Sequence, residues 1–599
     1  MKREEIAKTD QWNIEAFYPT LEAWYKEFTL CEESQKKGNW QKLKERQGSI
    51  HEGAEAVLHI LESYLKIEQD LARLYVYAHL RKDEDVGHTK HQEMFLQISS
   101  LCHQFKQDMS WIEPEILQMQ EEELNKLLEV EELKPYHFYL TKMIRFKPHT
   151  LTPQEENLLA SGSDALGVAE RAFEAFNCGD LKFPSVVDSE GKSHPLTHGT
   201  YLTYLLSQDR ALRQSAFETL HSTFSLWENT LCELIQGEMK KHLFLAKTRK
   251  FNSCLESALF PHHIDPSVYH NLIQVVRDAL PAFHRYFALR KKVMKLDKLH
   301  LYDLKVPLIT PVDMHLTFDH AVDLIIKSLA PLGKEYQDIL EKGLKVDRWV
   351  DRYENDRKRT GAYSSGFYQH FPYILMNYHG QFNDMMTLTH ESGHSMHSYF
   401  ASLHQSYHNA QYPIFLAEVA STFHEELLSN YLLKAVTSKK QRAYLINQKI
   451  EDIRNTFFRQ VMFAEFELKL HTSVEKGIPL TPSYLKKSYL ELNQDYFGPD
   501  VIIDPSIEIE WARVPHFYYN FYVYQYATGL AASRTLVNLV EKEGPLGYLE
   551  FISSGGSCFP LETLKKAGVD MTTKEPLQTV LDQFTSLMTE LEVLLGEEE

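Results

Sequence analysis

Apolar residues recur at three- and four-residue intervals through most of the chain, the period that turns one face of an α-helix toward a core. Near the start Val57, Leu58, Leu61, Tyr64 and Leu65 follow it, and near the end Leu577, Val580, Leu581, Phe584, Leu587, Met588 and Leu591 do. The pattern predicts a mainly α-helical fold. It breaks in two places. Around Leu181 to Ser193, the run Phe183-Pro184-Ser185-Val186-Val187 followed by Asp188-Ser189-Glu190-Gly191-Lys192 predicts a strand, a turn and a return strand. Between Gly361 and Gly380, Ser364-Ser365-Gly366 and then Pro372-Tyr373-Ile374-Leu375-Met376-Asn377-Tyr378 predict a loop followed by a strand. A boundary near residue 200 is expected to separate an N-terminal helical lobe, 1–200, from the part that carries the candidate chemistry, 201–599.

Composition narrows the class. With 599 residues, 43% hydrophobic and 25% charged, the chain can form several globular cores, which excludes the disordered and fibrous classes. Lysine and arginine number 64 against 83 aspartates and glutamates, and the resulting charge of −19 opposes binding to nucleic acid or an anionic membrane. Met1 to Asp10 lacks the apolar stretch of a secretory signal, and nowhere do eighteen apolar residues run together. A soluble cytoplasmic protein is expected. The six cysteines are scattered without a CxxC pair, as reduced thiols are, and sulfur is not expected to bind metal.

The candidate chemistry lies just after the second break, in His390-Glu391-Ser392-Gly393-His394. Two histidines four apart on a helix project from one face and can present imidazole nitrogens to one tetrahedral zinc. Glu391 sits at the edge of that face, where a carboxylate can take the proton of a water attacking a carbonyl carbon. Such a pentad arises by chance in histidine-rich chains, but Met385, Met386 and Leu388 before it and Met396, Tyr399 and Phe400 after it describe a helix buried enough for a dry site.

A third protein ligand is needed. The HExxHxxGxxH class is excluded, because Phe400 stands where its third histidine would be and His397 where its glycine would be. Glu418, a carboxylate inside the apolar helical run Phe415 to Phe423, is the leading candidate, since burying an unpaired carboxylate is costly. His404 and His408, in the intervening polar stretch, read better as solvated loop residues. Glu425, two helical turns beyond Glu418, can accept a hydrogen bond from the far nitrogen of a ligating histidine, whereas a solvent-facing role suits its neighbour Glu426. His397 either lines the cleft or packs.

A last cluster lies near the C-terminus. His516 to Tyr526 contains five tyrosines, and on a continuous helix Tyr519, Tyr522 and Tyr526 would share a face with His516 beside it. Composition alone favours core packing for these rings.

Several motifs, in a fixed order along the chain, together resemble the oligoendopeptidase F family of the thimet-oligopeptidase superfamily. The strongest are Gly361-Ala362-Tyr363-Ser364-Ser365-Gly366, Pro372 to Tyr378, Thr387 to His397 and Ala417-Glu418-Val419-Ala420-Ser421-Thr422. Weaker likenesses extend over nearly the whole chain, from Trp12-Asn13-Ile14 to Tyr302-Asp303-Leu304. The resemblance implies one zinc ion per chain bound by His390, His394 and Glu418, with Glu391 as general base and Glu425 behind a ligand. It further implies two helical lobes around a deep channel that admits short unstructured peptides and excludes folded proteins, and in such a channel an extended peptide can pair its backbone with the exposed edge of a strand such as Tyr373 to Tyr378. It also favours His516 and the tyrosines as donors to the oxyanion, with His516 and Tyr526 ahead of Tyr519 and Tyr522.

Overall fold

The structure, a computed structural model, describes residues 2–309 and 315–596. Helices dominate, as the apolar spacing predicts, and the strands are short. The chain forms two compact units, each assembled from three separated stretches.

The first unit comprises 1–150, 314–431 and 535–569. Its long helices Ala54–Glu84 and Thr89–Asp108 pack along each other, burying Leu74, Tyr77, Met94 and Ile98 against Trp12, Trp24 and Trp40. A three-stranded sheet adjoins this core through Tyr373 and Leu375. In it Pro372–Leu375 is the central strand, with Val350–Asp351 parallel on one side and Tyr363–Gly366 antiparallel on the other. The register sets Ile374 opposite both Val350 and Ser364. The expectation of an exposed Tyr373 to Tyr378 edge is therefore corrected: all four residues of the central strand are buried, and the outer strand Tyr363–Gly366 carries the edge. The buried Asp351 at the sheet margin is matched by Arg3 at 2.6 Å and Lys358 at 2.7 Å, so its charge is not stranded.

The second unit comprises Leu151–Asp313, Leu432–Arg534 and Asp570–Glu599. The predicted turn appears here as Val186–Val187 paired antiparallel with Ser193–His194. The C-terminal helix Glu575–Gly596 packs on Lys439–Ile453, and beside it Phe283 stacks on Phe458 while Phe584 meets both rings edge-on.

Candidate metal centre

The helix Phe382–His404 carries the HESGH sequence. Its start is fixed by Asp384, whose carboxylate accepts from the backbone N–H groups of His379 and Gln381 at 2.8 and 2.9 Å, an acid at the positive end of the helix dipole. Met385, Leu388, Ser392 and Met396 bury one face, which leaves His390 and His394 together on the half-exposed side. Their Nε2 atoms are 3.1 Å apart.

The helix Ile414–Ala435 crosses the first at Gly393. A Cβ there would lie 2.6 Å from both the Ala420 carbonyl oxygen and the Ser421 Cα, so only glycine permits this approach. The crossing carries Glu418 to the histidines: its Oε2 is 3.3 Å from His390 Nε2 and 3.7 Å from His394 Nε2. Zinc with nitrogen and oxygen ligands at roughly 2.0–2.1 Å in tetrahedral array needs donors about 3.3 Å apart. The three separations match that figure. Among the described residues this is the one His/Cys/Asp/Glu group close enough to hold a metal ion.

Charge is distributed accordingly. Burial opposes the positive charge of His390, yet hydrogen bonding to Glu418 and Glu425 holds it well above the ordinary imidazole range. Burial and then the adjoining His390 push His394 down to about 4, because neighbouring imidazolium groups repel. Burial likewise opposes ionisation of Glu418, but His390 and His394 hold it down at about 2. The trio thus offers a carboxylate and two imidazoles that compete for one positive charge, a donor set that fits a divalent cation. Glu425 Oε1 sits 2.5 Å from His390 Nδ1, fixing which ring nitrogen faces the donor set.

Glu391 is buried beside them, and burial, reinforced by the Glu418 charge, pushes its carboxyl up to about 7. The His390 charge, and less strongly a hydrogen bond from the Ser364 backbone N–H, work in the opposite direction. Ser364 therefore ties the outer strand to the base, and its hydroxyl also meets Ser395 Oγ at 2.8 Å. Sequence reasoning missed this link, because a backbone donor leaves no mark in residue identity.

The remaining candidates sort plainly. His397 is fully buried and stacks on Tyr412 at 3.5 Å, so it packs. His404 and His408 bond to the carbonyls of Phe400 and Pro135, outside the donor group. Glu426 is corrected: it is 1% exposed rather than solvent-facing. Its helix is apolar around most of its circumference, with Phe415, Leu416, Val419, Phe423, Leu427 and Leu428 all buried, and its partly exposed face carries Glu418, Thr422 and Glu425 rather than Glu426.

The aromatic stretch departs from a continuous helix. Pro515–Tyr518 is one short 3-10 turn, Asn520 and Phe521 are left-handed at φ 44 and 60, and helix resumes only at Tyr524. The bend is held by Glu467, buried in the helix Arg459–Glu475, whose carboxyl oxygen accepts from the Phe521 backbone N–H at 2.6 Å. The four candidates nevertheless gather: His516 Nε2 lies 3.2 Å from the Tyr526 hydroxyl, and the Tyr519 and Tyr522 rings centre within 6.2 Å of the His516 ring. Glu467 was missed, although its setting among Phe463, Ala464, Phe466 and Leu470 repeats the signal that marks Glu418, a carboxylate in an apolar helix.

A helical fold with paired helical histidines and a glutamate converging on one point defines a metallopeptidase. The chain matches the model of peptidase family M3 over residues 203–582 and that of oligopeptidase F over residues 115–183. It is 43% identical to oligopeptidase PepF of Bacillus subtilis, across 99% of this chain and 88% of the relative. It is also 36% identical to group B oligopeptidase PepB of Streptococcus agalactiae, across 99% and 98%. A solved structure of a putative peptidase from Chlamydophila abortus superposes with a TM-score of 0.93 at 40% identity, covering 99% of both chains. Oligoendopeptidase-F from Enterococcus faecium superposes with a TM-score of 0.75 at 33% identity, covering 96% of this chain and 99% of that one. The chain belongs to peptidase family M3, in its oligoendopeptidase F group, and is a metallo-endopeptidase. Among the described residues no helix is long and apolar enough to cross a membrane.

Proposed function

We propose that the protein hydrolyses peptide bonds in short unstructured peptides, with one zinc ion held by His390, His394 and Glu418 and with Glu391 as general base. The observation that carries this reading is the donor triangle with a buried carboxyl directly beside it. Bound there, zinc supplies Lewis-acid chemistry, acidifying water and polarising a carbonyl. Glu391, held at about 7, is matched to accepting a proton from the attacking water near neutral pH and returning it to the leaving amine. Glu425 keeps His390 in the tautomer that points Nε2 at the donor set.

The outer strand Tyr363–Gly366 is the place for an extended substrate, since it is the sheet edge and its Ser364 adjoins Glu391. Pairing through main-chain groups gives affinity with little sequence preference and requires an unfolded segment. His516 and Tyr526 are assigned the donation of hydrogen bonds to the developing oxyanion, with Tyr519 and Tyr522 beside them; their mutual contact supports the assignment. The catalytic part is taken to begin near residue 201, which the family match starting at 203 supports. The six unpaired cysteines suit a reducing compartment, the cytoplasm, and the acidic balance argues against nucleic acid as a partner.

The deciding experiment replaces Glu391 by Gln. The variant should retain one zinc per chain while peptide turnover falls by roughly a hundred- to ten-thousand-fold. Undiminished turnover with zinc in place would refute the assignment of the base.

A further inference from the structure

The second unit holds a cavity of about 370 Å³, large enough for one or two amino-acid residues, with His516 on its wall. Its lining is unusually cationic: Lys305, Arg454, Arg459 and Arg513 face it, against the single carboxylate of Glu510.

The neighbouring ion pairs do not neutralise this charge. Glu510 Oε1 takes Arg459 at 2.7 Å and Arg513 at 3.1 Å, and its Oε2 accepts from the Tyr489 hydroxyl. Glu451, behind the wall, is shared by Arg454 and Arg290. Two carboxylates therefore serve four guanidinium groups. Among the described residues no carboxylate reaches ion-pair distance of Lys305; Glu451 and Glu510 favour its charge only from further off, and its ammonium donates to the neutral Asn455 Oδ1 at 2.8 Å. Burial, and then Arg454 and Arg459, push that ammonium down to about 7. A desolvated ammonium with only a neutral partner is costly, and an incoming anion would relieve it.

Two further features specify the anion. Arg513 lies over the Tyr201 ring at 5.4 Å and Arg459 over Phe463 at 4.7 Å, contacts that join their shared ion pair with Glu510 in fixing both guanidinium groups on the wall, where their charge favours a carboxylate. The Asn493 side chain, fully buried on the same wall, donates to the Tyr489 carbonyl but leaves its own Oδ1 without a donor. A ligand with both a carboxylate and a nearby N–H would satisfy the whole lining. The terminal unit of a peptide has both.

We propose that this cavity is a subsite for the C-terminal carboxylate of a peptide, with Lys305 as the principal counter-charge and Asn493 as acceptor for the terminal amide N–H. The proposal rests on the reading of His516 as part of the active site, because that is what places a substrate terminus beside this wall.

The test compares heptapeptides of one sequence with a free C-terminal carboxylate, with a C-terminal amide, and with an amide following a terminal glutamate. Binding is measured by calorimetry on the zinc-loaded Glu391→Gln protein, and turnover on the parent. The free acid should bind roughly ten- to a hundred-fold more tightly than the amide, the scale of a charge-assisted contact. Lys305→Met should reduce that ratio to near unity with amide binding unchanged, and Lys305→Arg should restore most of it. Equal binding of acid and amide by the protein with Lys305 intact would overturn the subsite. An amidated peptide ending in glutamate that matched the free acid would also overturn it, by showing that a side-chain carboxylate suffices. A parent that cleaved none of the peptides would instead overturn the hydrolytic reading, and the binding ratio would still decide the subsite.

Discussion

The helices around Gly393 and the aromatic stretch from Pro515 to Tyr526 gather their chemistry by opposite routes. In the first region, helical periodicity alone aligns His390 with His394 and Glu418 with Glu425, and one glycine-sized contact brings the two rows together. In the second, periodicity is broken: two left-handed residues and a carboxylate from a distant helix fold the chain back so that His516 meets Tyr526. The first arrangement depends on local geometry plus one packing constraint. The second depends on a buried interaction between parts of the chain far apart in sequence, and it should be correspondingly easier to loosen without unfolding the protein.

The largest expected effect falls on the first region. Glu418→Ala, or a chelator applied to the parent, should remove the metal and with it essentially all turnover, and zinc should restore only the chelated parent. Zinc content unchanged in Glu418→Ala, measured by elemental analysis, would break the account of that crossing. Next, in the second region, His516→Ala and Tyr526→Phe should lower turnover by roughly a hundred- to a thousand-fold with zinc content and peptide affinity little changed, the usual cost of an oxyanion donor. If all of His516, Tyr519, Tyr522 and Tyr526 can be replaced at parental turnover, the cluster is packing only.

Smaller effects sharpen the contrast. Glu425→Gln should weaken zinc affinity by roughly ten- to a hundred-fold while leaving the fold intact, because it disturbs only the hydrogen bond behind His390; competitive chelator titration reads it directly. Without direct effect on turnover, and so last, is a pH effect on stability at Glu467. Burial holds its carboxyl at about 8 in the folded protein, above the ordinary value of 4.5. Between those limits the folded state binds the extra proton, so stability should fall as pH rises through the window. Glu467→Gln has no such proton to lose. Urea midpoints at either end of the window should therefore drop more for the parent than for the variant, and parallel slopes would contradict a raised Glu467.

What the amino-acid order discloses follows the same division. His390, His394, Glu418 and Glu425 are readable because helical spacing is a local property and a carboxylate within an apolar run is conspicuous. Glu426 was misplaced because periodicity assumes one wet face, and the helix Ile414–Ala435 is enclosed where Glu426 lies. The bend at Asn520 and Phe521 escaped because Glu467, more than fifty positions upstream, holds it. The identity of the edge strand escaped for a similar reason: Val350–Asp351 covers the central strand from well before the glycine-rich stretch. The cationic cavity is assembled from Lys305, Arg454, Arg459 and Arg513, whose separation in the chain conceals their common wall.

Gly393 has a further consequence in coordination chemistry. The contact at residue 393 fixes the bite of the donor set at 3.1 to 3.7 Å. An ion such as calcium, with ligand distances of roughly 2.3–2.6 Å and a demand for six or more oxygens, would have to force the helices apart and would still meet too few oxygens. With zinc held there as proposed, the absent methyl group acts as a calibration of ionic radius, exerted through the helix crossing rather than through any donor atom.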